Sequence, residues 1–283
     1  MRLLAALHRW WGIAFCLLFA MWFASGIVMH FVPFPTRNEI ARSGVPVGAG
    51  IGEVRSEQDV LRIAAIYARQ RGLDASQAST KPIDYDQWTV AGEFDSDRPF
   101  YRVALNDGAG TELYVSSVTG DVVLLTTQKV RVANYFGSIA HWIYPTVLRH
   151  DRQRWSTLMW WLSLVGTIGA AIGVAIGLVR LRKREAYEGL QRWHHIFGLI
   201  IAPFVLCWIF SGFLSMNDGP SFSLAAGAGL FRALHTFDFP PLSSHPWLRT
   251  SLIVGICLCG LAFSFTGVTL AWRRLRLGFI HSK

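Results

Sequence analysis

Polar and apolar positions fall in long blocks along this chain. Four runs carry no charged residue: 10–32, 155–179, 193–216 and 250–272. Each exceeds the roughly 18 residues that mark a candidate membrane helix, and about 20 residues at 1.5 Å rise cover some 30 Å of hydrocarbon. One such run could be a buried core helix. Four in one chain, each ending near Trp or Arg, predict a helical integral membrane protein.

The block between the first two runs has a different period. Pro33, Phe34 and Pro35 end the first helix, and the Gly- and Pro-rich stretch 44–52 reads as a linker. Residues 57–71 place Val60, Leu61, Ala64, Ala65 and Ala68 at helical spacing, with Ser56 as N-cap and Gly72 as stop. Runs 87–91, 100–105, 112–115 and 122–125 are rich in Val, Tyr, Phe and Trp. Turn residues such as Asn106-Asp107-Gly108 and Thr119-Gly120-Asp121 separate them, which predicts strands of an antiparallel meander. Residues 130–148 return to helical spacing, broken at Pro145, and read as a helix in the membrane interface. Residues 230–242 take that place later in the chain.

The chain also repeats itself. A shift of 186 lays His8 on His194, Gly12 on Gly198, Trp22 on Trp208, Ser25 on Ser211 and Gly26 on Gly212. A shift of 94 lays His141 on His235, Gly166 on Gly260, Gly173 on Gly267, and Arg180 and Arg182 on Arg274 and Arg276. Apolar runs match by accident, but co-registered His, Gly and Arg do not. The pattern predicts four transmembrane helices as two parallel two-helix repeats. The two shifts differ by 92, the size of the α+β unit inserted in the first copy.

Charge gives the orientation. The N-terminus, the 180–192 turn and the C-terminal tail hold 11 Lys/Arg and 2 Asp/Glu, whereas 33–154 holds 14 of each and 217–249 holds 2 of each. The net charge of +9 therefore collects on one side of the membrane. That is a positive-inside signal putting both termini in the cytoplasm, and not a nucleic-acid surface. The first run is longer than a signal-peptide core and its copy lies mid-chain, so it reads as an uncleaved span. Cys16, Cys207, Cys257 and Cys259 all fall inside spans, which leaves no disulfide framework outside.

The repeat makes the histidines informative. An imidazole at a membrane face can sit in the interface, pair with a polar neighbour or hold a metal. Haem iron accepts an imidazole on each face, from helices that face each other. His8 with His194 on the cytoplasmic side, and His141 with His235 on the outer side, meet that demand. His30 also lies at the outer side, but its copy is Met216, so it is either an alternative outer ligand or a neighbour of the site. His195 points about 100° from His194 and reads as a supporting or propionate partner. His150, His245 and His281 have no histidine copies and read as structural. His8 and His30 are 22 positions apart, about 33 Å along a helix, so any electron path between the two ends needs groups reaching inward or a bridge such as Trp22 or Trp208.

Leu7-His8-Arg9-Trp10, Arg98-Pro99-Phe100-Tyr101-Arg102-Val103, Leu113-Tyr114-Val115-Ser116, Thr119-Gly120-Asp121-Val122, His141-Trp142-Ile143-Tyr144-Pro145, Leu234-His235 and Phe239-Pro240 together resemble the PepSY-associated transmembrane family, in order and over nearly the whole chain. The resemblance implies an inner-membrane protein with a periplasmic PepSY domain, similar to haem-b ferric-siderophore reductases of iron uptake. The expected organisation is a transmembrane helix in 1–35, a periplasmic PepSY-like domain in 36–128, an interfacial segment in 129–154, and helices two to four in 155–283 with a short periplasmic loop at 217–249. The expected cofactors are two haems b, on His8/His194 and His141/His235, with His30 beside the outer one. The acceptor would be a ferric siderophore or another periplasmic oxidant.

No nucleotide-binding glycine motif follows a strand, and no Walker, H-E-x-x-H or C-x-x-C pattern occurs. The cytoplasmic segments are too short for a flavin or nicotinamide domain, so electrons would come from a separate soluble donor or quinol. A second reading is a non-enzymatic, membrane-anchored PepSY module that binds or regulates a periplasmic partner. A transporter is disfavoured because no Asp or Glu lies in any span.

Overall fold

The computed structural model describes residues 2–37, 54, 56–183, 187–216 and 224–281. The linker 44–52 lies outside the described residues. In chain order the helices are α1 (Arg2–Phe31), α2 (Glu57–Gln70), α3 (Gln128–Phe136), α4 (Ser138–His141), α5 (Thr146–Arg149), α6 (Arg152–Arg182), α7 (Gly189–Ser215), α8 (Leu224–Thr236), α9 (Pro240–Ser243) and α10 (Pro246–His281). The strands are β1 (Ser79–Ile83), β2 (Phe100–Ala104), β3 (Glu112–Ser116) and β4 (Val122–Thr126). The chain forms two compact units: 1–30 with 140–142 and 153–283, and 31–139 with 143–152.

The first unit contains α1, α6, α7 and α10, four helices long and apolar enough to cross a membrane. Its outside is greasy: Leu17, Ile200 and Phe265 are 67%, 57% and 70% exposed. Water would not tolerate such a sheath, whereas hydrocarbon does. The seam between helices is where polar groups hide, with Ser25, Ser163, Ser211, Ser264 and Thr266 all buried. Small residues there allow close approach. A Cβ at Gly169 would lie 2.0 Å from the Trp11 ring, and one at Gly260 would lie 2.4 Å from Phe23. Phe23 and Ile209 are related by the shift of 186, and Ile209 in turn faces Gly166.

The second unit is a four-stranded antiparallel meander in the order β1-β2-β3-β4 with α2 on one face. Ser56 caps α2 by accepting from Asp59 N–H at 3.2 Å. At its other end Gly72 has φ +67, and the Leu73 and Gly72 N–H groups donate to the Ala68 and Arg69 carbonyls. That is a Schellman ending, which needs a residue at ease with positive φ. Val60, Ile63, Ala64 and Tyr67 of α2 pack on Val103, Leu113, Val115 and Val122. The opposite face of the sheet is also buried, by Phe94, Phe100, Tyr114 and Leu124. Leu113→Ala is expected to cost about 2–5 kcal/mol, read in the full chain as faster hydrogen exchange across β2–β4, with the α10 amides unmoved.

Three sequence expectations need correction. Residues 87–91 are not a strand. Asp86 Oδ1 accepts from the N–H groups of Trp88 and Thr89 at 2.9 and 3.1 Å, and this local turn overrides the β-prone composition. Trp88 is thereby turned inward against Phe34 and Tyr135. The strand is instead Ser79–Ile83, where Lys81 and Pro82 hide the signal; at a sheet edge they guard against further pairing. Residues 130–148 are not one interfacial helix but α3, α4 and α5, separated at Gly137 and at 142–145. The helix expected at 230–242 begins earlier, as α8, and stops at Thr236.

Candidate functional site

His141 closes α4 and His235 lies in the last turn of α8. Each is followed two residues later by a left-handed residue, Ile143 at φ +48 and Phe237 at φ +51. Neither type favours that conformation. The same unfavourable turn at two positions 94 apart is a property of the repeat, and it ends both histidine-bearing helices the same way.

The two imidazole rings lie 6.2 Å apart, centre to centre, with planes at 87°. Nδ1 of His141 is 3.0 Å from Ser25 Oγ, and Nδ1 of His235 is 3.0 Å from Ser211 Oγ. Both hydroxyls donate to carbonyls in their own helices, Ser25 to Met21 at 2.6 Å and Ser211 to Trp208 at 3.0 Å. A hydroxyl already donating has only lone pairs left to offer. Nδ1 of each histidine therefore carries the hydrogen, and Nε2 carries the lone pair. Burial pushes both imidazoles below the ordinary value of 6.5, and the neighbouring His235 lowers His141 further. Neutral imidazoles with Nδ1 tied back are what a metal takes as ligands. A Cβ at Gly26 or at Gly212 would lie 3.8 Å from Cε1 of His141 or His235 respectively, so each ring rests on a glycine of α1 or α7.

The other couple is built on the same plan. A Cβ at Gly173 would lie 2.5 Å from His8 Cε1, and one at Gly267 would lie 3.6 Å from His194 Cε1. His194 Nδ1 is 3.0 Å from Thr266 Oγ1, whose hydroxyl donates to the Phe263 carbonyl. This again leaves the lone pair on Nε2. The position matching Thr266 is Ile172, and His8 Nδ1 is buried with no hydrogen-bond partner among the described residues. His8 and His194 line one cavity of about 600 Å³, together with Gly12, Gly173, Gly198 and Gly267.

These facts test a fit. No group of three or more His, Cys, Asp or Glu among the described residues is arranged to hold a metal ion. Paired imidazoles suit a metal that brings its other ligands with it, as porphyrin iron does. Two metal–nitrogen bonds of about 2 Å, with about 1.2 Å from each nitrogen to its ring centre, add up to ring centres about 6.4 Å apart when they lie in line. The His141–His235 separation of 6.2 Å meets that figure. The cavity between His8 and His194 falls within the range of about 300–1,000 Å³ usual for small-molecule sites.

His141 and His235 thus lie side by side, and His8 and His194 line one cavity. His30 is not part of a couple: its Nε2 is 2.9 Å from Thr250 Oγ1, so the nitrogen a metal would need is engaged. His195 lines the cavity and donates through Nε2 to the Gly177 carbonyl at 3.1 Å. Trp22 donates to the His141 carbonyl at 2.9 Å, whereas Trp208 accepts from His235 through its own carbonyl. Sequence reasoning matched Ser25 with Ser211 but gave them no role, and their co-registration was the available signal.

It also missed a column of rings along α1. His8 meets Trp11 at 6.1 Å, Trp11 meets Phe15 at 4.9 Å and Phe19 at 5.3 Å, and Phe19 meets Trp22 at 5.8 Å. The matching residues of α7 are Phe197, Ile201, Val205 and Trp208.

No family model, curated protein or solved structure matches the chain. The class is set by its own architecture: four long apolar helices with a small antiparallel sheet unit. Within it, the helical unit holds the adjacent rings of His141 and His235 and a cavity lined by His8 and His194.

Proposed function

We propose that this chain is a haem-b transmembrane oxidoreductase of the bacterial inner membrane, related to the PepSY-associated transmembrane proteins. It carries electrons from a cytoplasmic or quinol donor to a periplasmic acceptor, the best candidate being Fe(III) in a siderophore. The observation that carries this reading is the His141–His235 couple, at 6.2 Å with both Nδ1 atoms tied back to serines.

His141 and His235 would hold one haem, and His8 and His194 a second. Haem b, when bound, supplies reversible one-electron transfer. The residues of this chain do the rest. Ser25, Ser211 and Thr266 fix the tautomer of their histidines, glycines keep the ring faces clear, and the apolar helices exclude water. Seventeen positions separate His8 from Ser25 on α1, about 26 Å, so the two couples lie at different depths. A ferric acceptor gives the chemistry a purpose, since Fe(II) binds hard oxygen ligands less tightly and is released. Both termini would face the cytoplasm and the α+β unit the periplasm, as the charge distribution directs.

The test is optical. Protein purified from haem-replete cells is expected to show a Soret band, a b-type pyridine haemochrome and two haems per chain. A colourless preparation would overturn the reading and leave the alternative, an anchored module whose α+β unit binds a periplasmic partner.

A further inference from the structure

The cavity between His8 and His194 is lined by Arg9, Arg180 and Arg274, and among the described residues no Asp or Glu lines it. Arg180 and Arg274 are related by the shift of 94. Each stands seven residues beyond the glycine that faces a histidine, Gly173 for one and Gly267 for the other. Seven residues are two turns, about 10 Å along the helix, on nearly the same face. Arg180 is also held in place. Its guanidinium lies 4.4 Å over the Tyr187 ring, the Tyr187 ring meets His195 edge-on at 5.3 Å, and His195 is tied to the Gly177 carbonyl.

We propose that Arg180 and Arg274 form a carboxylate clamp that takes the two acid groups of a flat amphipathic ligand gripped between His8 and His194. This rests on the haem reading above and gives it an orientation: the ligand's acid edge points to the arginine end and its apolar edge into the helices. Guanidinium is the cation suited to this, because its planar fork pairs with carboxylate through two charge-assisted hydrogen bonds.

The experiment uses the full chain carrying His141→Ala and His235→Ala, so that one cavity remains to bind. It is titrated in detergent with haem and with haem dimethyl ester, whose two carboxylates are masked, following the Soret band. The ester is expected to bind about tenfold more weakly. Arg180→Gln with Arg274→Gln is expected to weaken haem by a similar factor and leave the ester unchanged. Equal binding of the two compounds overturns the clamp while leaving the haem reading intact. A loss that falls equally on both compounds assigns the arginines a packing role and overturns it too. No Soret change with either compound, in a protein that is colourless with all its histidines present, removes the haem reading itself. Redox titration of the chain with both couples intact gives a second readout. Arg180→Gln with Arg274→Gln is expected to lower the midpoint of one of two components, because two cations that favour the reduced iron are gone, and two unmoved midpoints would sink the clamp.

Discussion

His235→Ala is expected to drop the purified protein from two haems per chain to one and to abolish one of two low-spin signals. The reason is the arrangement around the ring. His235 is held by Ser211 Oγ and the Trp208 carbonyl, both at 3.0 Å from Nδ1, and its counterpart across the site is His141 at 6.2 Å. Alanine removes the donor on one face, and Thr236 beside it cannot substitute. Losing an outer-shell partner of a metal ligand already costs about 10–100-fold in affinity, so loss of the ligand itself should exceed 100-fold. His245→Ala is the control. The His245 ring bonds within its own turn, to Ser244 and the Pro241 carbonyl, and its loss should keep both haems. Full haem content with an unchanged spectrum in His235→Ala would end the assignment of this couple.

Gly12→Leu is expected to leave the apo-protein folded and membrane-inserted, yet unable to bind at the His8–His194 couple. A Cβ at Gly12 meets nothing within 4 Å, and Gly12 lines the cavity. The new side chain therefore enters open space. Leucine also suits a helix better than glycine, by close to 1 kcal/mol. Apo stability should stay within about 0.5 kcal/mol or rise. Gly169→Leu is the contrast. Its Cβ would lie 2.0 Å from Trp11 Cε2, and overpacking of that kind costs about 1–3 kcal/mol. The first change should empty one site without loss of stability, and the second should lower stability with or without ligand. Should Gly12→Leu retain two haems with normal spectra, the cavity is not where the ligand sits.

Much of this could be read from residue order because it rests on periodicity. Charge-free runs give α1, α6, α7 and α10, since only helices satisfy their backbone in hydrocarbon. The helix after Ser56 was legible from its cap, its stripe and Gly72. The histidine couples were legible because two register shifts align His with His, and contacts follow register. What resisted reading depends on local competition. Asp86 gathers the N–H groups of Trp88 and Thr89 into a turn where composition favours a strand. Pro82 sits in a strand because that strand is an edge. Ile143 and Phe237 adopt positive φ that neither residue type signals. His30 meets Thr250, a hydroxyl 220 positions away along the chain, and no local pattern signals that contact.

The column of rings along α1 has one more implication. At the histidines the two halves of the helical unit are near equivalents, but between the histidines they have diverged. Trp11, Phe15 and Phe19 put mobile π electrons along one flank, and Phe197, Ile201 and Val205 put mostly saturated carbon along the other. A repeat that kept its histidines in register has thus lost interchangeability in its interior. A chain assembled from two second halves would reproduce the imidazoles of α7 and α8 but would lose the rings of Phe15 and Phe19 from that polarisable flank.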